Sequence, residues 1–256
     1  MVDLGIELPA GHTLVSYEER PDLIRPAGKL NGSVWPEFML QDETVHLYWH
    51  LLDEAWPSFQ LVLLDAKGEI AATNNAAPIA WDGTDDGLPD GWDRQLERSA
   101  NEHASGVAPN TLGAIQIVVD PGRRGNRLAG LMVSAMRANA QAHGFGHVIA
   151  CVRPTDKHRF PLIPIEDYAF WTRDDGEPYD PWIRLHHRLG ARIVRGSPRA
   201  MTMRGTVAEW AEWTGQDFPG SGEHIVPFAA APVTIDREAD EGVYFDPNVW
   251  VIHTVS

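Results

Sequence analysis

Three arginines and two glycines crowd into one short stretch, Gly122-Arg123-Arg124-Gly125-Asn126-Arg127. An apolar run at residues 112–119 precedes it and reads as a strand. Residues 128–142 follow it and read as an amphipathic helix. A helix start presents backbone N–H groups that lack partners, together with the positive end of the helix dipole. Arginine adds charge-assisted, often bidentate bonds. A strand, a basic glycine turn and a helix start therefore suit a pyrophosphate, and they predict a phosphate-bearing cofactor. The formal net charge of −15 argues against nucleic acid or an anionic membrane as a partner. Against that background the basic turn is a local anion pocket.

Other chemistries lack their spacing. The chain contains no G-x-x-x-x-G-K-[ST] loop and no G-x-S-x-G elbow, and Gly144-Phe145-Gly146 precedes a strand instead of following one. With no H-E-x-x-H and no paired C-x-x-C, nothing points to a metal site. The Asp-rich loop at residues 82–93 lacks calcium-loop spacing and reads as a solvated turn. Glu209 and Glu212 share a helix face opposite Trp210 and Trp213, and read as solvated. The single cysteine, Cys151, excludes an intrachain disulfide and reads as buried filler in a strand.

The elements that must position the turn are legible in outline. Residues 13–17 suggest an opening strand, and 21–36 a loop with short helices, because Pro21, Pro26, Gly28 and Gly32 interrupt it. Residues 45–55 read as a short helix or strand. Residues 59–64 and 69–73 flank Asp65-Ala66-Lys67-Gly68 as a hairpin, and 94–104 read as a helix. A strand at 112–119, a helix at 125–143 and a strand at 147–152 form a βαβ unit, so the two strands should be parallel. Downstream, a helix is expected at 181–189, strands at 191–194 and 202–204, a helix at 207–214, a late strand at 224–233 and a packed segment at 244–253. No repeat or long linker divides the chain, which predicts one domain over residues 1–256. No run of about 18 apolar residues predicts a membrane span. The acidic opening at residues 1–7 lacks the shape of a signal peptide. With the lone cysteine, this predicts a cytoplasmic protein. The ten tryptophans predict core packing, with a few left to line an apolar ligand channel.

The register of the turn is more specific than its chemistry. Val119-Asp120-Pro121 followed by Arg124-Gly125-Asn126-Arg127-Leu128-Ala129 resembles the signature of the GNAT acyltransferases, the GCN5-related N-acetyltransferase superfamily. Their turn is [RQ]-x-x-G-x-[GA] after a strand ending in V-x-P. Arg127 departs from it, standing where the central glycine usually lies. The resemblance implies an α/β (α+β) fold: a mixed, largely antiparallel central sheet, a parallel βαβ unit at the coenzyme A site, and helices on both faces. It implies coenzyme A or acetyl-CoA as acyl donor and no metal. The pyrophosphate would rest on Arg124, Gly125, Asn126, Arg127, Leu128 and Ala129, and pantetheine along the backbone of Ile117, Val118 and Val119.

Downstream, the family pattern Y-x-x-x-G-F corresponds to His186-His187-Arg188-Leu189-Gly190-Ala191. His186 thus stands in the slot of the tyrosine that acts as general acid. An imidazole of pKa about 6.5 replaces a phenol of about 10, and it can serve as acid or base at neutral pH. The C-terminal half, through Asp180-Pro181-Trp182-Ile183-Arg184-Leu185-His186, residues 206–215 and Asp246-Pro247-Asn248-Val249-Trp250, is similar to GNAT-like loading domains of curacin-type polyketide synthases. Those domains are credited with decarboxylating a malonyl thioester and passing the acyl group to a carrier-protein thiol. That likeness implies a histidine and a threonine around the acyl group, His186 and, by position, Thr155, with Trp49 and Arg199 in the pocket. The expected activity is acyl transfer from acyl-CoA to a small-molecule amine or thiol, or to a carrier protein. Malonyl-type decarboxylation with S-acyl transfer, and a non-catalytic acyl-CoA-binding module, are the alternatives.

Overall fold

The hairpin, the βαβ unit and the C-terminal segment join one nine-stranded sheet in a computed structural model of the chain. The model describes residues 4–255; residues 1–3 of the acidic opening, and Ser256, lie outside them. The chain runs β1 (Thr13–Ser16), α1 (Ile24–Ser33), α2 (Glu43–Tyr48), α3 (His50–Glu54), β2 (Leu61–Leu64) and β3 (Ile70–Ile79). Next come α4 (Trp92–Ala104), β4 (Thr111–Val119), α5 (Leu128–Ala142) and β5 (His147–Val152). The rest is α6 (Ile165–Tyr168), α7 (Pro181–Arg188), β6 (Arg192–Gly205), α8 (Val207–Thr214), β7 (Gly222–His224), β8 (Val233–Asp236) and β9 (Glu241–Thr254).

The sheet order is β1-β2-β3-β4-β5-β9-β8-β7, with β6 also paired to β9. Every pairing is antiparallel except β4 with β5, which α5 connects. This is the mixed, largely antiparallel sheet expected, and it carries helices on both faces. Adjacent residues of β3 show the alternation. Asn74 donates to the Met132 carbonyl of α5 at 2.9 Å, while Thr73 and Asn75 both bond Asn31 of α1 on the opposite face. Gly113 of β4 faces α4, where a Cβ would strike the Gln95 amide at 2.8 Å. On that face Phe38, Trp210, Tyr244 and Trp250 form a fully buried aromatic core. Ala150, Val152, Val249 and Val251 pack against α6 and α7 on the other.

Several elements differ from expectation for local reasons. Residues 24–33 form a regular helix, not a broken loop. Pro26 sits in its first turn, where an amide has no helical acceptor to lose. The strands expected at 191–194 and 202–204 are one strand, β6, whose register shifts between Ser197 and Met201 around Pro198. The strand expected at 224–233 is the ends of two strands, β7 and β8, with Pro227, Pro232 and the left-handed Phe228 between them. Helix α5 begins at Leu128, later than residue 125, because Gly125 and Arg127 both adopt positive φ. Among the described residues, no helix is long and apolar enough to cross a membrane.

Candidate active site

Parallel pairing of β4 with β5 runs from Thr111–His147 to Ala114–Ala150 and stops there. A bulge in β4 accompanies the parting: Asn75 pairs with Gln116 and Ala76 with Ala114, which leaves Ile115 as the extra residue. Two side chains of α4 hold the distortion. The Trp92 indole donates to the Ile115 carbonyl, and the Gln95 amide to the Ala114 carbonyl, each at 2.9 Å. Beyond the bulge β4 keeps β3 on one edge and turns its other edge to the gap. Such an edge offers N–H and C=O groups to an extended, amide-bearing arm. That fits the pantetheine of coenzyme A. A cavity of about 320 Å³ passes through the gap. Val133, Met136 and Trp182 line it from the α5–α7 side, and Trp35, Trp49 and Trp92 from the other.

At the end of β4 the basic turn is preorganised. The Asp120 carboxylate accepts the Gly122 N–H at 2.9 Å. Arg123 pairs with Asp65 in the β2–β3 turn, so this arginine serves the scaffold. The Glu69 backbone N–H, aided by Arg123, brings the Asp65 carboxyl down to about 2. Arg124, Gly125, Asn126 and Arg127 are exposed. The Leu131 N–H makes the bond to the Arg127 carbonyl, at 3.2 Å, that opens α5. The amides of Leu128, Ala129 and Gly130 come before it and face outward for an anion.

Arg127 caps the helix at φ 60°, ψ 13°. Arg127 thus holds a left-handed conformation that costs a residue other than glycine about 1 kcal/mol. Arg127→Gly should raise stability by about 0.5 kcal/mol, the relief exceeding the added entropy of the unfolded chain. It should also weaken coenzyme A binding by loss of a guanidinium beside the phosphates. Thermal unfolding and calorimetric titration read the two effects separately; affinity equal to wild type would remove Arg127 from the phosphate site.

Helix α7 brings His186 to the gap. Asp180 caps it, accepting the N–H groups of Trp182 at 2.9 Å and Ile183 at 3.2 Å. The other Asp180 oxygen takes the Tyr168 hydroxyl and the Asp156 amide, which ties the helix start to α6 and to the loop after β5. Trp182 and His186, one turn apart, both line the cavity, and their rings meet edge to face at 4.5 Å. His186 is only 3% exposed. Its Nδ1 lies 2.9 Å from Nε2 of His253 on β9, so one ring donates to the other. Its Nε2 is buried with no hydrogen-bond partner. Burial, and then His253, pushes His186 down to about 3; burial and then the Arg137 cation push His253 down to about 4. Both rings are neutral at pH 7, and one His186 nitrogen is left for a ligand.

The other sequence candidates fall in different places. Trp49 lines the cavity and Ile117 lies at the strand edge beside it. Thr155 is exposed, and Arg199 is exposed with its guanidinium 4.4 Å over the Phe245 ring; neither lines the cavity. Cys151 does line it, but burial pushes its thiol up, so it stays protonated. Sequence reasoning passed over His253 and Arg153, both in the cavity wall. Strand alternation would have given Arg153, which shares the parity of Cys151. Nothing local marks His253, which is 67 residues from its partner. Among the described residues no group of three or more His, Cys, Asp or Glu is placed to hold a metal ion.

No family model matches the chain. It is 32% identical over 284 aligned positions to arginine N-acetyltransferase avaD of Aspergillus versicolor, covering 98% of this chain and 97% of that protein. Its fold is similar to the loading GNATL domain of CurA from Lyngbya majuscula, with a TM-score of 0.58 at 15% identity over 95% of this chain and 98% of that one. The chain belongs to the GNAT acyltransferases. The GphF GNAT-like decarboxylase in complex with isobutyryl-CoA shares the fold equally well, at a TM-score of 0.58 and 19% identity over 95% of this chain and 100% of that one. As a GNAT enzyme the protein draws its acyl group from acyl-CoA.

Proposed function

We propose that this GNAT enzyme transfers an acetyl group from acetyl-CoA to a nitrogen of arginine or a close derivative, by direct attack on the thioester. The identity to avaD over nearly the whole chain carries the choice of acceptor. Residues 1–256 act as one catalytic domain in this reading. Backbone amides from Arg124 to Ala129 hold the diphosphate, with Arg124 and Arg127 adding charge. The free edge of Ile117, Val118 and Val119 bonds the pantetheine amides. Trp49, Trp35 and Trp92 line the cavity with aromatic surface, which suits a cationic acceptor. His186 Nε2 exchanges a proton with the reacting nitrogen or the departing sulfur. Thr155 and Arg199 stand outside this cavity and take no part. The lone buried cysteine is in keeping with a cytoplasmic setting. A carrier-protein thiol would have to enter the same gap to serve as acceptor.

Titration with coenzyme A and mass spectrometry of acetyl-CoA plus arginine test the proposal. N-acetylarginine should form. Arg124→Ala should weaken coenzyme A binding about tenfold, the worth of one charge-assisted contact. No acetylated product, or binding unchanged by Arg124→Ala, would count against it.

A further inference from the structure

We infer that Arg153 anchors a substrate carboxylate inside the cavity, across the gap from His186. Pairing of β5 with β9 sets Cys151 against Trp250, and both belong to the core that includes Trp92 and Leu96 of α4. Ala150 and Val152 pack the other way, with Ile183 of α7. Arg153 has the parity of Cys151, so it leaves the strand end on the α4 face while His186 approaches from the α7 face.

A notch in the sheet receives it. On one edge β9 pairs with β8 as far as Val243, and with β5 only from Val249 onward. Arg153 enters between. Its Nε donates to Asp246 Oδ1 at 2.9 Å and its Nη2 to the Phe228 carbonyl at 2.7 Å. Asp246 is fully buried and also takes the Tyr244 hydroxyl at 2.5 Å. The guanidinium is therefore fixed from behind. Burial disfavours its charge, but Asp246 outweighs that and keeps it cationic. Asp246 and Phe228 use two of its five N–H groups and the Tyr244 oxygen faces a third, which leaves the others for a ligand.

Among the described residues lining the cavity, Arg153 is the sole Lys, Arg, Asp or Glu. The remaining wall is largely aromatic and aliphatic. A preoriented guanidinium in such a wall selects a planar, two-oxygen anion. The diphosphate is assigned above to the separate basic turn after β4, which does not line this cavity and so leaves a carboxylate for Arg153. Resting on the proposed acyl transfer, the carboxylate is that of an amino-acid acceptor; a malonyl-type acyl group would present the same chemistry from the donor side.

Two comparisons with the full-length protein distinguish these sources. The first is kcat/KM with acetyl-CoA for arginine against agmatine, which is arginine without its carboxylate. The second is calorimetric binding of malonyl-CoA against acetyl-CoA. We expect arginine to be favoured at least tenfold, chiefly through KM, with the two thioesters bound alike. Arg153→Lys keeps the charge facing Asp246 but loses the fork, and the double variant Arg153→Met, Asp246→Asn removes both charges. Each should bring the ratio within about threefold of unity and leave coenzyme A affinity unchanged. A preference for malonyl-CoA that vanishes in these variants would support the anchor and assign the carboxylate to the acyl group. It would do so even if neither amine were acetylated, an outcome that sinks only the acetyl-transfer reading. Arginine and agmatine used alike by the wild type, with both thioesters bound alike, would overturn the assignment whether or not the variants fold.

Discussion

Alanine in place of His186 should lower kcat by about 10²- to 10⁴-fold, the usual worth of a positioned acid or base. Coenzyme A binding should hardly change, because His186 faces the gap and lies apart from the basic turn. The neutral state of the ring makes the pH dependence as informative as the rate. With His186 pushed down to about 3, its proton inventory is constant from pH 5 to 8, so kcat should show no limb near 6.5. A limb there that disappeared in His186→Ala would mean a solvated, cationic imidazole, contrary to the buried pair with His253. Stability should carry the complementary signature. Between about 3 and 6.5 the unfolded chain binds more protons at this position than the fold does, so stability is lost as pH falls through that window. His186→Ala removes this component and should flatten the acid side of the unfolding profile.

What could be read in the chain was what neighbours in sequence decide. The strand, turn and helix at the proposed coenzyme A site are contiguous, and the glycine and arginine register carries its own chemistry. His186 was legible because its distance from Gly190 is a local count. His253 was not, since antiparallel pairing of β5 with β9 brings it into place and an apolar strand gives no sign that one member faces a cavity. Thr155 and Arg153 make the same point. Position near the strand end singled out Thr155, yet past Val152 the chain leaves the strand, and it is Arg153 that reaches the cavity while Thr155 is exposed. Helix α1 was obscured by Pro26, Gly28 and Gly32, which signal interruption from sequence. In the fold the proline occupies the first turn and both glycines line the cavity, where bulk would narrow it.

Asp93→Asn should stabilise the protein, increasingly as pH rises. Asp42 caps α2 by accepting the Val45 N–H at 3.1 Å, and Asp93 lies in the first turn of α4. Asp42 Oδ2 and Asp93 Oδ1 are both buried without another partner. Burial foremost, then the Asp42 charge, pushes Asp93 up to about 9; burial also raises Asp42. The physical state is one shared proton, carried on Asp93 and facing the Asp42 carboxylate. Above about pH 4 the unfolded chain has released that proton while the fold retains it, so stability falls as pH rises from about 4 to about 9. An asparagine amide supplies the N–H permanently. The gain should be small at pH 5 and reach about 10 °C or more in Tm at pH 9, because each pH unit over which the fold retains the proton is worth about 1.4 kcal/mol and each kcal/mol about 2–4 °C in a domain of this size. An equal gain at every pH, or a loss at pH 9, would refute the shared proton. The pair also bears on the site. Asp42 bridges to Met203 and lies between Leu40 and Val45, which line the cavity, as does Trp92 next to Asp93. Ionising both carboxyls pushes α2 away from α4, and these two helices carry the wall that would hold the acceptor. The acceptor KM should therefore rise above pH 8 in the wild type and stay level in Asp93→Asn, while the affinity for coenzyme A, set across the sheet, follows the same curve in both.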